Sequence, residues 1–181
     1  MRLWVQDEMR DGLHGFTRRV WGLPGQRPSA PTQQVYQWGY VYGAVGVGLA
    51  RTQFLLAETV DLPHAIQFYR QVGASDPAAM HVLIQDGAGF HLRDGDARLP
   101  DNVRILTLPP YSPELNPVEG LWDQVKDGLC NRGFATLGDL EAVLVKELRA
   151  FWSDARRVQR LSFDWLRAAA NASSPVVILL Y

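Results

Sequence analysis

Two acidic residues, Asp86 and Glu119, follow short apolar stretches that have the length of buried strands. Residues 82–84 lead directly to Asp86 at a glycine-containing corner. Residues 103–108 lead through a proline-rich turn to a helix that begins at Pro117 and carries Glu119 in its first turn. Side chains placed just beyond strand ends suit a reacting centre, because ligands of open α/β sheets bind there. Their carboxylate oxygens are also ligands that Mg²⁺ prefers.

A third carboxylate, Asp7, closes the alternating stretch of residues 2–7, which predicts an amino-terminal strand. Successive side chains of a strand point to opposite faces, so Asp7 and Glu8 cannot both point into one site. From the residues alone, Glu8 and Asp11 remain eligible in place of Asp7.

Three segments resemble a known family. They are QDEMRDGLHGFTRRVWGLPGQRP at residues 6–28, QDGAGFH at 85–91 and LPPYSPELNPVEGLWDQVK at 108–126. Together they resemble the catalytic core of the Asp-Asp-Glu transposases, in particular the mariner-related branch found in bacterial insertion sequences. The SPELNPVEGLW part is a specific signal, whereas an Asp-Glu pair near the start is weak by itself. The resemblance extends roughly over residues 3–170.

This resemblance implies an α/β fold of the ribonuclease H-like kind, a mixed five-stranded sheet with helices on both faces. In that fold the first strand lies beside the strand that follows the first helix. Asp7 and Asp86 are then neighbours although 79 positions separate them. The implied domain covers residues 1–170, and residues 171–181 form a carboxyl-terminal tail.

The resemblance also implies metal-dependent cleavage of DNA strands and transfer of a 3′-hydroxyl to target DNA. Asp7, Asp86 and Glu119 are the implied catalytic residues and the ligands of two Mg²⁺ ions, with Mn²⁺ as a substitute. Asp86 would bridge both ions. The 33 positions between Asp86 and Glu119 are close to the spacing usual in the family.

Each of these side chains has a structural alternative. Asp86 is also suited to hydrogen-bond the turn that follows it. Glu119 stands third in a helix that Asn116 would cap, which is a capping-box arrangement. His91 matches a histidine often found in the family, where it would contact phosphate or the third carboxylate, although a lone histidine is more often structural.

Several other side chains have a structural and a DNA-binding interpretation. Arg156, Arg157 and Arg160 would follow a DNA backbone or form a solvated helix face. Trp122 and Trp152 are predicted to belong to the core rather than to stack on bases.

Composition sets broad limits on the function. The net charge of −1 neither supports nor excludes DNA binding, although DNA affinity depends on neutralising phosphates. The single cysteine, Cys130, excludes an internal disulfide and fits a reducing compartment. No signal peptide or membrane span is evident, which predicts a cytoplasmic protein without a membrane partner.

The resemblance implies DNA as the partner, both transposon ends and target, with a possible homodimer. Related transposases carry amino-terminal helix-turn-helix units, whereas this sequence starts six residues before Asp7. A separate DNA-reading segment or a second reading frame is therefore expected to complete it. The alternatives are a catalytically silent or domesticated domain that binds DNA or a partner, and a ribonuclease H-like nuclease.

The remaining pattern predicts the elements that position the site. A returning strand is expected at residues 16–21 and a third strand at 35–49, where several glycines suggest a bulge or a close backbone approach. Asp61 and Thr136 are expected to cap helices, Thr136 with Asp139 in a capping box. A last helix would end near Ala170.

Overall fold

A computed structural model describes residues 1–26, 28–31, 33–109, 116–161 and 163. The strands are β1 (Arg2–Gly12), β2 (Trp38–Gly46), β3 (Thr52–Ala57), β4 (His81–Gln85) and β5 (Val103–Thr107). The helices are α1 (Leu62–Ala74), α2 (Val118–Leu129) and α3 (Leu137–Ser153). Residues 155–161 are also helical.

The five strands form one mixed sheet in the order β3-β2-β1-β4-β5. The first three strands are antiparallel neighbours, whereas β4 runs parallel to both β1 and β5. The long central strand β1 therefore joins an antiparallel half to a parallel half. The predicted five-stranded mixed sheet is confirmed, and so is the predicted pairing of the first strand with the strand after α1.

Each face of the sheet has its own hydrophobic core, because side chains along β1 alternate between faces. Trp4 packs on the face covered by α1, together with Tyr42, Phe68 and Leu83. The opposite face packs against α2 and α3. Its buried residues include Val5, Met9, Val45, Trp122, Leu144 and Phe151. Helices thus cover both faces of the sheet, as predicted.

The helix caps follow the sequence. Asp61 Oδ1 accepts a hydrogen bond from the backbone N–H of His64 at 3.0 Å, where α1 begins. Thr136 and Asp139 form the predicted capping box of α3. These polar side chains satisfy backbone N–H groups that have no partner inside the helix.

The predicted strand at residues 16–21 is wrong. The antiparallel partner of β1 is β2, and residues 16–21 are irregular. The backbone of this segment bonds instead to Asn131, just after α2. Asn131 N–H donates to the carbonyl of Phe16 at 2.8 Å, and its side chain exchanges two hydrogen bonds with the backbone of Arg18.

One of the two tryptophan predictions is also wrong. Trp122 is 1% exposed and belongs to the core, as predicted. Trp152 is 61% exposed, because the buried stripe of α3 ends with Phe151. Trp152 only borders the core through a tilted contact with the ring of Phe54.

Some predictions fall outside the described residues. They concern the first letters of SPELNPVEGLW, the end of the last helix near Ala170, and the tail at 171–181. Val158 and Leu161 of the last helical segment are buried.

Within the described ranges, no helix combines the length and apolar character needed to cross a bilayer.

Gly43 of β2 is the close approach that the glycine-rich strand predicted. A Cβ atom at this position would lie 2.4 Å from Cη2 of Trp122, so the indole occupies the space of the missing side chain. Gly43 also pairs with Asp7 across the β1–β2 ladder. The absence of a side chain on β2 therefore allows α2 to lie close to Asp7.

We expect Gly43→Ala to lower the free energy of unfolding by about 1–3 kcal/mol, because an added methyl group would displace a buried indole. Urea denaturation measures this change. Gly138→Ala in α3 is the matched control, because its Cβ would meet nothing nearer than a hydroxyl at 3.8 Å. The control should be neutral or stabilising by up to about 1 kcal/mol. Equal effects of the two substitutions would contradict the packing argument.

Candidate active site

Asp7 lies in the middle of β1 on the face covered by α2. Trp122 of α2 donates a hydrogen bond from Nε1 to Asp7 Oδ2 at 3.0 Å. This bond is the direct link between the central strand and the helix that carries Glu119. The indole orients the carboxylate while it also fills the core beside Gly43.

The pKa of Asp7 is raised to about 7. Burial is the largest cause, followed by the negative charges of Glu119 and then Glu8. The hydrogen bond from Trp122 acts in the opposite direction but does not compensate. Asp7 therefore stands where negative charge is in excess, a condition that a bound cation would relieve.

Glu119 is exposed in the first turn of α2 and lines the same cleft as Asp7. The predicted N-cap at Asn116 is wrong, because α2 begins at Val118 with Pro117 at the N-cap position. Asn116 Oδ1 nevertheless accepts from the N–H of Val118 at 3.1 Å. The reciprocal bond of a capping box is not made. Among the described residues, the Glu119 side chain has no hydrogen-bond or ion-pair partner, so its carboxylate is available to the cleft.

Asp86 follows β4 directly, and its side chain is 60% exposed. The β1–β4 register pairs Val5 with Ile84, and two further positions along each strand bring Asp7 level with Asp86. Asp86 Oδ1 accepts from the N–H of Ala88 at 3.0 Å, which is the turn interaction that the sequence suggested. Its Oδ2 has no partner among the described residues.

His91 lies between two carboxylates and is almost completely buried. Its Nδ1 lies 2.9 Å from Asp86 Oδ1, and its Nε2 lies 3.0 Å from Glu8 Oε1. Burial lowers the pKa of His91, but the hydrogen bond and charge of Glu8, followed by Asp86, outweigh it and leave the pKa raised. His91 thus contacts Asp86 and Glu8, and not Glu119, the third carboxylate of the motif. The alternative contact with phosphate stays a prediction.

The structure thus brings Asp7 and Glu119 to one cleft and places Asp86 at the adjoining strand end, where it contacts His91. Within the described part of the chain, no three acidic, histidine or cysteine side chains are grouped closely enough to hold a metal ion. The donor set nevertheless fits a hard cation, because it consists of carboxylates with unrelieved negative charge.

The two alternatives to Asp7, Glu8 and Asp11, have different surroundings. Glu8 borders the cleft, but its Oε1 is occupied by His91 and Gln6. Asp11 is 2% exposed and does not line the cleft, and neither of its carboxylate oxygens has a hydrogen bond to a described residue. Burial and the charge of Glu141 raise the pKa of Asp11 to about 6.

The cleft beside Asp7 and Glu119 has a volume of about 350 Å³ and contains residues that the sequence analysis missed. Two cations, Arg10 and Lys126, line it and have no ion-pair partner among the described residues. The Arg10 guanidinium lies 4.3 Å from the ring centre of Trp38. The aromatic walls are completed by His14, Phe16 and Trp122. Alternation along β1 would have placed Arg10 on the face opposite Asp7, and nothing local in the sequence linked Trp38 or Lys126 to this cleft.

The three arginines after α3 are not equivalent. Arg157 is used inside the domain, where Nε donates to Gln124 Oε1 at 2.7 Å and the guanidinium stacks on Phe151 at 4.0 Å. Arg156 and Arg160 are exposed. None of the three lines the cleft that contains Asp7 and Glu119.

Comparison with solved structures identifies the fold. The chain is similar to Mos1 transposase in a paired-end complex with the left transposon end, with a TM-score of 0.60 and 18% identity over 93% of this chain. A Mos1 strand transfer complex gives a TM-score of 0.63 and 17% identity over 97%. The mixed sheet and its helices match the ribonuclease H-like catalytic domain of Mos1 transposase. The chain spans 55–56% of the length of those chains.

A family model described as DDE superfamily endonuclease matches residues 2–141. The chain therefore belongs to the DDE superfamily endonucleases. An uncharacterised protein, y4pE/y4sA of Sinorhizobium fredii (strain NBRC 101917 / NGR234), is 37% identical over 105 residues. That stretch is 57% of this chain and 77% of the relative.

The raised pKa of Asp7 predicts a pH-dependent stability in the presence of EDTA. Because the folded-state pKa of Asp7 lies above the unfolded value, the contribution of this group to stability is fully present below about pH 4 and is lost as the pH rises towards 7. Asp7→Asn removes the buried charge and should raise the melting temperature, by more at pH 8 than at pH 5. Exposed Asp101→Asn is the control and should change little. The same gain at both pH values would contradict this prediction.

Proposed function

We propose that this chain is the catalytic domain of a transposase, which cleaves DNA strands and joins a 3′-hydroxyl to target DNA. The observation that carries the proposal is the cleft shared by Asp7 and Glu119, where their mutual repulsion contributes to the raised pKa of Asp7. Asp86, at the end of the adjoining strand, completes the three-carboxylate set. Membership of the DDE superfamily endonucleases and the fold of Mos1 transposase support this function.

Asp7, Asp86 and Glu119 are proposed to hold divalent cations, two Mg²⁺ ions with Mn²⁺ as a substitute. Solved structures of the Mos1 paired-end complex with Mn and with Mg support this choice. Such ions activate the attacking water or hydroxyl and stabilise the leaving oxygen in an in-line displacement. In this chain, Trp122 Nε1 holds Asp7, and the Glu119 carboxylate has no competing partner among the described residues.

The cleft also suits a DNA strand. Arg10 and Lys126 are proposed to neutralise phosphate charge on either side of the scissile bond, since neither is engaged by a described carboxylate. Trp38 and Phe16 support these cations through their ring faces, at 4.3 and 5.9 Å. The chain as a whole has a net charge of −1, so this local positive charge would supply the attraction to DNA phosphates.

Partners follow from the same proposal. Transposon ends and target are the proposed DNA partners, and recognition of the ends is assigned to a helix-turn-helix segment or reading frame outside this chain. Pairing of two ends would require two copies of the domain, so we propose a homodimer on DNA. The single cysteine fits a reducing compartment, and we propose the cytoplasm.

A catalytically silent, DNA-binding domain is the second candidate. It is favoured by one observation: Asp86 contacts His91 and is not grouped with Asp7 and Glu119 into a metal site within the described residues. Such a domain would retain DNA binding and lose cleavage. A ribonuclease H-like nuclease would instead prefer RNA–DNA hybrids, which a direct comparison of substrates tests.

We expect the native chain to nick supercoiled plasmid in Mn²⁺ or Mg²⁺. Asp86→Asn and Glu119→Gln should each abolish nicking, because each removes a carboxylate while preserving the side-chain shape. Agarose-gel conversion of supercoiled to open-circular DNA measures the reaction. Asp101→Asn, an exposed carboxylate remote from the cleft, should retain full activity.

The response of the melting temperature to Mn²⁺ separates the two candidate functions. A catalytic domain should be stabilised by Mn²⁺ in the native chain but less in Asp86→Asn, because a ligand that binds the folded state raises its stability. A native chain that neither nicks DNA nor responds to Mn²⁺, yet binds DNA, would support the silent domain.

DNA affinity provides an independent prediction. Arg10→Gln and Lys126→Gln should each weaken binding and lower the slope of log affinity against log salt by roughly 0.7–0.9, the contribution of one released counterion. Fluorescence anisotropy across a salt series measures both quantities. Lys146→Gln, at an exposed position of α3, is the matched control. A control slope reduced as much as that of Lys126→Gln would disprove the assignment of the cleft.

A further inference from the structure

The adjacent acidic residues Asp7 and Glu8 face opposite sides of the sheet and have different surroundings. Asp7 contacts Trp122 of α2, whereas Glu8 contacts His91, which lies in the segment after β4. The Glu8 side chain is only 10% exposed and the His91 side chain 3% exposed. Burying a carboxylate is costly, and a solvated strand residue would not be buried in this way. The pairing with His91 therefore points to a specific role for Glu8.

The contacts of His91 connect Glu8 to Asp86. One ring nitrogen, Nε2, lies 3.0 Å from Glu8 Oε1. The other, Nδ1, is hydrogen-bonded to the backbone carbonyl of Asp86 at 3.2 Å and lies 2.9 Å from Asp86 Oδ1, within ion-pair distance. Gln6 Nε2 also donates to Glu8 Oε1, so the carboxylate itself is fixed. The ring edge packs against Phe90 with centroids 4.4 Å apart. The imidazole therefore has little freedom to rotate.

These contacts engage only one of the two carboxylate oxygens of Asp86. Oδ1 faces both the N–H of Ala88, at 3.0 Å, and His91 Nδ1. Oδ2 has no partner within the described ranges and belongs to a side chain that is 60% exposed. An exposed aspartate normally samples several rotamers, and the two contacts at Oδ1 restrict it to one.

We propose that Glu8 is a positioning residue which acts through His91 to fix Asp86, so that Oδ2 is directed outward as a single ligand oxygen. This inference rests on the proposed function, in which Asp86 binds a divalent cation. The two halves of the Asp7-Glu8 pair then have separate roles. Asp7 supplies a carboxylate to the cleft, and Glu8 orients the carboxylate of the neighbouring strand from the other face of the sheet.

The test compares two substitutions that remove the same charge. Glu8→Gln keeps an oxygen that accepts from His91, whereas Glu8→Leu has similar size and no acceptor. We expect Glu8→Leu to weaken Mn²⁺ binding, measured by electron paramagnetic resonance, about 10–100-fold, as supporting residues of metal ligands do. Glu8→Gln should remain within about threefold of the native chain. Melting temperatures of both variants identify any that fail to fold.

A second measurement does not depend on metal or activity. The carboxyl ¹³C resonance of Asp86 in the metal-free protein should shift in Glu8→Leu and remain near its native position in Glu8→Gln. If both variants bind Mn²⁺ and keep the Asp86 resonance as the native chain does, Glu8 does not position Asp86. If both are changed to the same extent, only the charge of Glu8 matters. Either result would overturn the proposal. Absence of Mn²⁺ binding in the native chain would instead contradict the proposed function, while the ¹³C comparison would still test the link to Asp86.

Discussion

The parallel pairing of β1 with β4 is the constraint on which the rest of the domain depends. The registered pair Val5–Ile84 places Asp7 and Asp86 at the same level, across 79 positions of sequence. A crossover through α1 makes β4 run parallel to β1, so Asp86, just beyond the end of β4, is level with Asp7 in the middle of the longer strand β1. Everything attached to this edge, including His91 and α2, takes its position from that pairing.

The buried negative charge of Asp7, beside β4 in the sheet, lowers the stability of the fold. Asp7 is oriented by the indole of Trp122, which reaches it only because Gly43 has no side chain. Burial and the nearby Glu119 raise the pKa of Asp7 to about 7, so the metal-free protein at neutral pH maintains a carboxylate in an unfavourable place. Groups that are poorly satisfied in the resting protein are common at functional sites, because their unmet charge is what binds the ligand. Asp11 shows a similar burial without lining the cleft, and the structure offers no partner for it within the described residues.

Much of the fold was predictable because its signals are local. Alternation identified β1, and the cap residues Asp61 and Thr136 located two helix starts. The errors arose where contacts with residues distant in the sequence determine the local structure. Residues 16–21 have the composition of a strand, but their backbone hydrogen bonds go to Asn131 after α2. Trp152 follows the last buried residue of α3, Phe151, and only borders the core at Phe54.

The sequence by itself determined which carboxylates are candidates, because Asp7, Asp86 and Glu119 stand within motifs that resemble a known family. It also determined that Asp7 and Glu8 face opposite ways, since that follows from the geometry of any strand. Only the tertiary structure decided what each one contacts. The pairing of Glu8 with His91, the entry of Arg10 and Lys126 into the cleft and the hydrogen bond from Trp122 to Asp7 all join residues far apart in the chain or on separate elements. Such contacts depend on strand order and helix packing, and no local pattern encodes them.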